Sequence, residues 1–160
     1  MMQKPFACFG RILIRNTYAD GEVVEVVITD TSAATLLCTS GSMTGIDLTG
    51  AQSVVPIQTG DLITPEIHRA APRHQSQTMH DGYTLWCYSP ESNHGYDADI
   101  EKFQLDGGSE TIVPIGTKLF LCSGTLTANG TNVDAPAQIH IKTGNQLVQA
   151  VTTCHGMFFA

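Results

Sequence analysis

Along most of the chain, apolar and polar residues alternate one by one in short runs. In residues 22–29, Val23, Glu25 and Val27 fall on one face of an extended chain, and Val24, Val26 and Ile28 fall on the other. A two-residue period is the mark of a strand, whose successive side chains point to opposite faces. The same reading places strands at 11–15, 34–39, 52–57, 61–67, 82–88, 100–105, 111–115, 118–123, 138–142, 147–153 and 156–159. Gly, Asn, Asp and Pro separate the runs, and Ala19-Asp20-Gly21 reads as a hairpin turn between the first two. No ten-residue stretch sustains a 3.6-residue period, so the pattern predicts few or no helices.

Many short strands at near-regular spacing predict an all-β sandwich or small barrel. A jelly roll is the natural choice, because two packed Greek-key sheets bury the alternating faces and limit exposed edges. The expected organisation is an N-terminal arm over 1–10, carrying Phe6 and Phe9, followed by a single β domain over 11–160. Val113, Ile115, Leu119 and Leu121 are expected to supply much of the core. Two polar stretches, 69–81 and 90–99, read as exposed loops, where contact residues tend to sit. A short echo, Val55-Pro56-Ile57-Gln58-Thr59 and Val113-Pro114-Ile115-Gly116-Thr117, fits two equivalent half-barrel strands.

Composition narrows the function classes. Hydrophobic residues make up 42% of the 160, which is ordinary, but charged residues only 14%, where about 25% is typical. Ser, Thr, Asn, Gln and Gly take their place, predicting a neutral polar surface that costs little to desolvate against another subunit. Net charge is −7 with eight basic residues, clustered nowhere beyond Arg69 and Arg73. Phosphate neutralisation needs a basic patch, so nucleic acid is not an expected partner. No apolar run approaches the length of a membrane span, and the first residues show no secretory h-region. The five cysteines form no C-x-x-C pair; they read as free thiols packed as small hydrophobes in a protein made in a reducing cytosol.

Two segments resemble the cupin superfamily. Residues 107–120, centred on Pro114-Ile115-Gly116, resemble the cupin turn that leads into a barrel strand. Gly60-Asp61-Leu62-Ile63-Thr64-Pro65-Glu66-Ile67-His68 resembles the first cupin motif, in which a glycine and five intervening residues precede a ligand-x-ligand pair. The resemblance implies a jelly-roll barrel. It also implies a ligand set of Glu66 and His68, which one strand would present together, with His74 as a third ligand; such a set suits iron, manganese or another divalent metal. The sequence departs from the family at the fourth ligand, since Leu119 stands where Pro-x-Gly-x-x-His would place a histidine. It departs again downstream of the first motif, where Pro72, Arg73 and His74 stand near the place of a glutamate.

The remaining candidates are weaker. Cys154 and His155 are chain neighbours, which on a strand face opposite ways. His80, His94 and His140 read as scattered polar positions, and Asp97 and Asp99 as loop carboxylates. No nucleophile elbow, phosphate loop or dinucleotide fingerprint is present. With low charge, Thr- and Ser-rich strands and degenerate metal motifs, the chain has the general character of a bacteriophage virion structural protein. The expectation is a non-enzymatic capsid decoration, cement or other assembly subunit, made in the host cytoplasm and carried in the virion. It would need no cofactor and no membrane. It would form a homo-oligomer, a trimer slightly favoured, and contact other virion proteins such as a capsid or tail protein. Phe6, Phe9, Arg69, Arg73 and Tyr96 are the assembly candidates. Two alternatives stand beside it. One is a metal-dependent cupin-type enzyme acting on a small polar substrate through Glu66, His68 and His74; the other is a carbohydrate-binding module stacking sugar on Trp86, Tyr88 and Tyr96.

Overall fold

In the computed structural model, residues 1–28, 34–48, 57–70, 73–89 and 100–160 are described. They form fourteen strands and one short helix: β1 (Met2–Cys8), β2 (Arg11–Thr17), β3 (Val23–Ile28), β4 (Thr35–Asp47), β5 (Leu62–Ile63), α1 (Pro65–Ala70), β6 (Arg73–Tyr88), β7 (Ile100–Leu105), β8 (Glu110–Val113), β9 (Lys118–Ser123), β10 (Thr125–Ala128), β11 (Thr131–Asp134), β12 (Ala137–His140), β13 (Gln146–Ala150) and β14 (Cys154–Phe159). The chain divides into two compact units, Met1–Ala7 with Arg11–Tyr96, and Cys8–Gly10 with Asp97–Ala160.

The first unit is built on β6, which runs for sixteen residues. β2 and β3 pair with it in succession along one edge, and β4 pairs along the other. Register shifts around Ser40 bend β4 where Gly41 lies at φ +78°, and a Cβ there would come within 2.6 Å of the His80 carbonyl oxygen. Only glycine fits so close an approach at positive φ. Tyr18, Cys38, Met43, Ile57, Met79 and Tyr83 form the core of this unit.

Two sequence expectations change here. Residues 73–81, expected in an exposed loop, belong to β6. The alternation is present, but its inward positions are amides: Gln75 and Gln77 are buried, and Gln77 Nε2 donates to Gln75 Oε1 over 2.6 Å. Residues 2–8, expected in an arm, form β1, which hydrogen-bonds to β2. The turn between them is Phe9-Gly10, both at positive φ (49° and 78°). Residues 52–56, expected in a strand, and 90–99, expected in a loop, lie outside the described residues.

The second unit contains two four-stranded sheets, β7-β14-β9-β12 and β8-β13-β10-β11. Eight strands distributed in this order are a jelly roll: every pair of strands consecutive in sequence crosses between the sheets except the β10–β11 hairpin. The expected jelly roll is therefore present, and it closes within the last 61 residues, from Ile100 to Ala160. β9 reads Lys-Leu-Phe-Leu-Cys-Ser with its four central residues buried, the unbroken apolar run of a strand covered on both faces. Leu119 and Leu121 pack with Phe103, Leu126, Ala150 and Cys154, and Val113 packs with Ile141 and Val148. Ile115, expected with them in the core, is 56% exposed. Pro114 ends β8 one residue earlier, so Ile115 sits in the turn and the strand alternation no longer applies to it.

Candidate assembly surface

The residues of the expected ligand set lie on two different elements. Glu66 and His68 lie on α1, not on a strand. Pro65 follows Thr64 at the first helical position, where its missing N–H is no loss, and Glu66 falls in the acid-favouring first turn. The same-face presentation that a strand gives to residues two apart is therefore not the geometry of this segment, since helical residues two apart are separated by about 200°. His74 lies on β6 across from Val27, its Nε2 3.8 Å from Glu25 Oε2. Among the described residues no group of three or more His, Cys, Asp or Glu side chains is placed to hold a metal ion.

The aromatic candidates are already engaged within the chain. Phe6 packs on Trp86 with ring centroids 5.1 Å apart, and the Arg15 guanidinium lies 5.1 Å from the Phe6 ring. Trp86 is buried, and its Nε1 donates to Thr39 Oγ1 over 3.2 Å. Tyr88 is buried too. Both rings are thus buried, and Tyr96 lies outside the described residues. Phe9 packs on Phe159 and edge-on to His140, and its N–H donates to Gln138 Oε1 over 2.7 Å. The side chains of His68, Arg69 and Arg73 also lie outside the description.

Burial raises the pKa of several thiols and phenols of the core. Burial pushes the Cys38 thiol and the Tyr83 hydroxyl up from their usual ranges, and Tyr83 Oη donates to the Ile57 carbonyl over 2.8 Å. Cys122 is raised by burial well above an ordinary thiol, and burial raises Cys154 as well. A nucleophilic cysteine needs the opposite shift. His155 is held below the usual histidine range, first by burial and then by Lys102, with Asp106 opposing. Its Nδ1 is buried with no hydrogen-bond partner.

Among the described residues, one face with exposed apolar side chains is the outer face of the β8-β13-β10-β11 sheet. Ile112 on β8 lies directly across from Leu147 on β13, and they are 66% and 55% exposed. Val151, just past β13, is exposed as well. Part of the polar surface of the face is bonded internally: Thr127 Oγ1 donates to Asn132 Oδ1 over 2.9 Å, and Thr125 Oγ1 to Asp134 Oδ1 over 2.7 Å. Each of these is a cross-strand pair of β10 and β11. Hydroxyls already paired lose less when water leaves than free ones do. Beside it, a cleft of about 250 Å³ separates the edges of β7 and β8; Phe103, Leu105, Val113 and Phe158 are among its lining.

No family model matches the sequence, and no curated protein matches it. Among solved structures, HutD from Pseudomonas fluorescens SBW25 is similar, with a TM-score of 0.54 at 11% identity over 92% of this chain and 77% of that one. A cupin 2 conserved barrel domain protein from Leptotrichia buccalis is similar at a TM-score of 0.44 and 11% identity, over 99% and 86% of the two chains. The described residues are all-β apart from one short helix, and the likeness to HutD is one of fold. At such identities the likeness extends to the fold and not to an activity.

Within that fold, the cupin-like turn is where the sequence places it. Pro114-Ile115-Gly116 joins β8 to β9, with Gly116 at φ +90° and its N–H donating to the Ile141 carbonyl over 2.7 Å. Leu119, at the position of the family's histidine ligand, is 1% exposed and packs in the apolar core. Hydrocarbon fills the position at which the resembled motif carries a ligand.

Proposed function

We propose that this chain is a non-enzymatic structural subunit, acting through contacts with copies of itself and with neighbouring proteins. Its setting is a bacteriophage virion, where it serves as a capsid decoration, cement or other assembly protein. The observation that carries the reading is the outer face of β8-β13-β10-β11, which presents an exposed Ile112–Leu147 pair beside Thr, Asn and Asp side chains already bonded to one another. The core of a protein–protein interface is apolar, and an exposed cross-strand apolar pair suits it. The virion setting rests on the low charge and the Thr- and Ser-rich strands of the sequence.

The test measures the mass of the untagged protein by light scattering, together with its metal content. The reading expects a closed oligomer without stoichiometric metal. A monomer carrying near-stoichiometric iron, manganese, nickel or zinc overturns it in favour of the metal-dependent enzyme.

A further inference from the structure

The free edge of β8 has a geometry that a second copy of this chain fits. Among the described residues β8 pairs only with β13. The β13 residue Ala150 accepts from Gly108 N–H over 2.8 Å and donates to the Ser109 carbonyl over 2.9 Å. Backbone groups alternate sides along an antiparallel strand. In the observed register, Val148 opposite Thr111 and Gln146 opposite Val113 therefore make the next bonds. That turns Thr111 and Val113 toward β13 and leaves the N–H and C=O of Ile112 on the free edge. The cleft beside β7 is lined by each residue from Thr111 to Pro114, and among the described residues no strand pairs with this edge.

We propose that two copies of the chain join through antiparallel β8–β8 pairing about a two-fold axis at Ile112, fusing their sheets into one of eight strands. This inference rests on the structural-subunit reading and names its partner and mode. Parity decides the register. A two-fold axis normal to the sheet keeps both outer faces on one side, so residues of like parity must face each other. With Ile112 opposite Ile112 of the second copy, the two residues exchange N–H···O=C bonds, and each Glu110 N–H reaches a Pro114 carbonyl. Pro114 lacks an N–H, which costs only the outermost bond at each end. The apolar residues then form an unbroken row across the joined sheets: Leu147 and Ile112 of one copy, then Ile112 and Leu147 of the other. Charge is compatible as well. Glu110 is the sole charged residue of β8, and in this register the two glutamates lie at opposite ends of the pair. The alternative register, Thr111 on Thr111, would set each Glu110 against an Ile112 and break the row. The two-fold arrangement also replaces the trimer that the sequence favours with a dimer as the building block.

Proline substitution separates this contact from folding. Ile112→Pro removes an N–H that serves only the second copy, whereas Thr111→Pro removes one bonded to β13. Light scattering at about 100 µM should give the wild type twice the chain mass, and Ile112→Pro the single mass with a cooperative melt within a few degrees of wild type. Ile112→Cys under mild oxidation should form a covalent dimer, since facing Cα atoms would lie about 5.5 Å apart, within disulfide range. Leu147→Cys and the wild type should not. A wild type that is oligomeric and unchanged by Ile112→Pro overturns this pairing and leaves the subunit reading standing. A monomeric wild type overturns both the pairing and the self-association on which the subunit reading draws.

Discussion

Gln77 donates its side-chain amide to Gln75 two residues away on the same face of β6, inside a core otherwise made of Tyr, Met, Cys and Ile. Removing one amide strands the other in a dry site, which costs about 1–3 kcal/mol, whereas removing both partners together is much closer to neutral. Gln77→Leu alone should therefore lower stability more than the double variant Gln75→Leu/Gln77→Leu. Urea denaturation of the three proteins checks it, and equal losses for single and double variants would contradict the pairing.

Leu121 and Ile115 are near neighbours in sequence with opposite fates. Leu121 is fully buried in the jelly-roll core, so Leu121→Ala should cost about 2–5 kcal/mol through lost burial and a residual cavity. Ile115 stands in the exposed turn, so Ile115→Ala should stay within about 0.5 kcal/mol. Thermal melts distinguish the two. A large loss at Ile115 would mean that the turn is covered.

His155 makes acid stability predictable in sign. Its pKa is lower in the folded protein than the ordinary 6.5. The unfolded chain therefore binds a proton first as pH falls, and folding stability declines below about pH 6.5. One such group contributes a slope of at most about 1.4 kcal/mol per pH unit. Denaturation midpoints between pH 7 and pH 5 should fall in the wild type and fall less in His155→Gln. An identical pH profile for the variant would place the titrating group elsewhere.

Glu66 and His68 both lie on a six-residue helix, not on a strand, and Glu66 is exposed. The double variant Glu66→Ala/His68→Ala should hold its stability within about 1 kcal/mol of wild type, with no recovery on adding divalent metal. A loss of several kcal/mol restored by metal would reinstate them as ligands.

The all-β class and most strand positions were legible because apolar alternation is a direct record of which face is buried. β7 and β9 fall on the residues the pattern assigns, 100–105 and 118–123. Legibility failed where polar residues do the work of apolar ones. The first half of β6 hides behind Gln75 and Gln77. β10 and β11 hide behind Thr125, Thr127, Asn132 and Asp134, whose side chains bond across the pair. Their hairpin was nevertheless marked by Asn129-Gly130, both at positive φ (52° and 71°), the strongest short-range turn signal. α1 was missed because a single turn is too short for a helical period, and Thr64-Pro65 was its one local sign. The Ile112–Leu147 surface was invisible for another reason: pairing across strands 35 positions apart is set by register, and alternation along one strand does not report it.

The jelly roll begins with β7 and ends with β14, and these two strands lie side by side with Ile100 opposite Phe159. The two ends of the unit therefore emerge about 5 Å apart, the spacing of facing residues in an antiparallel ladder. A unit with adjoining ends can be spliced into a surface loop of an unrelated host, or have its ends joined and be reopened at Asn129-Gly130, without any strand changing place.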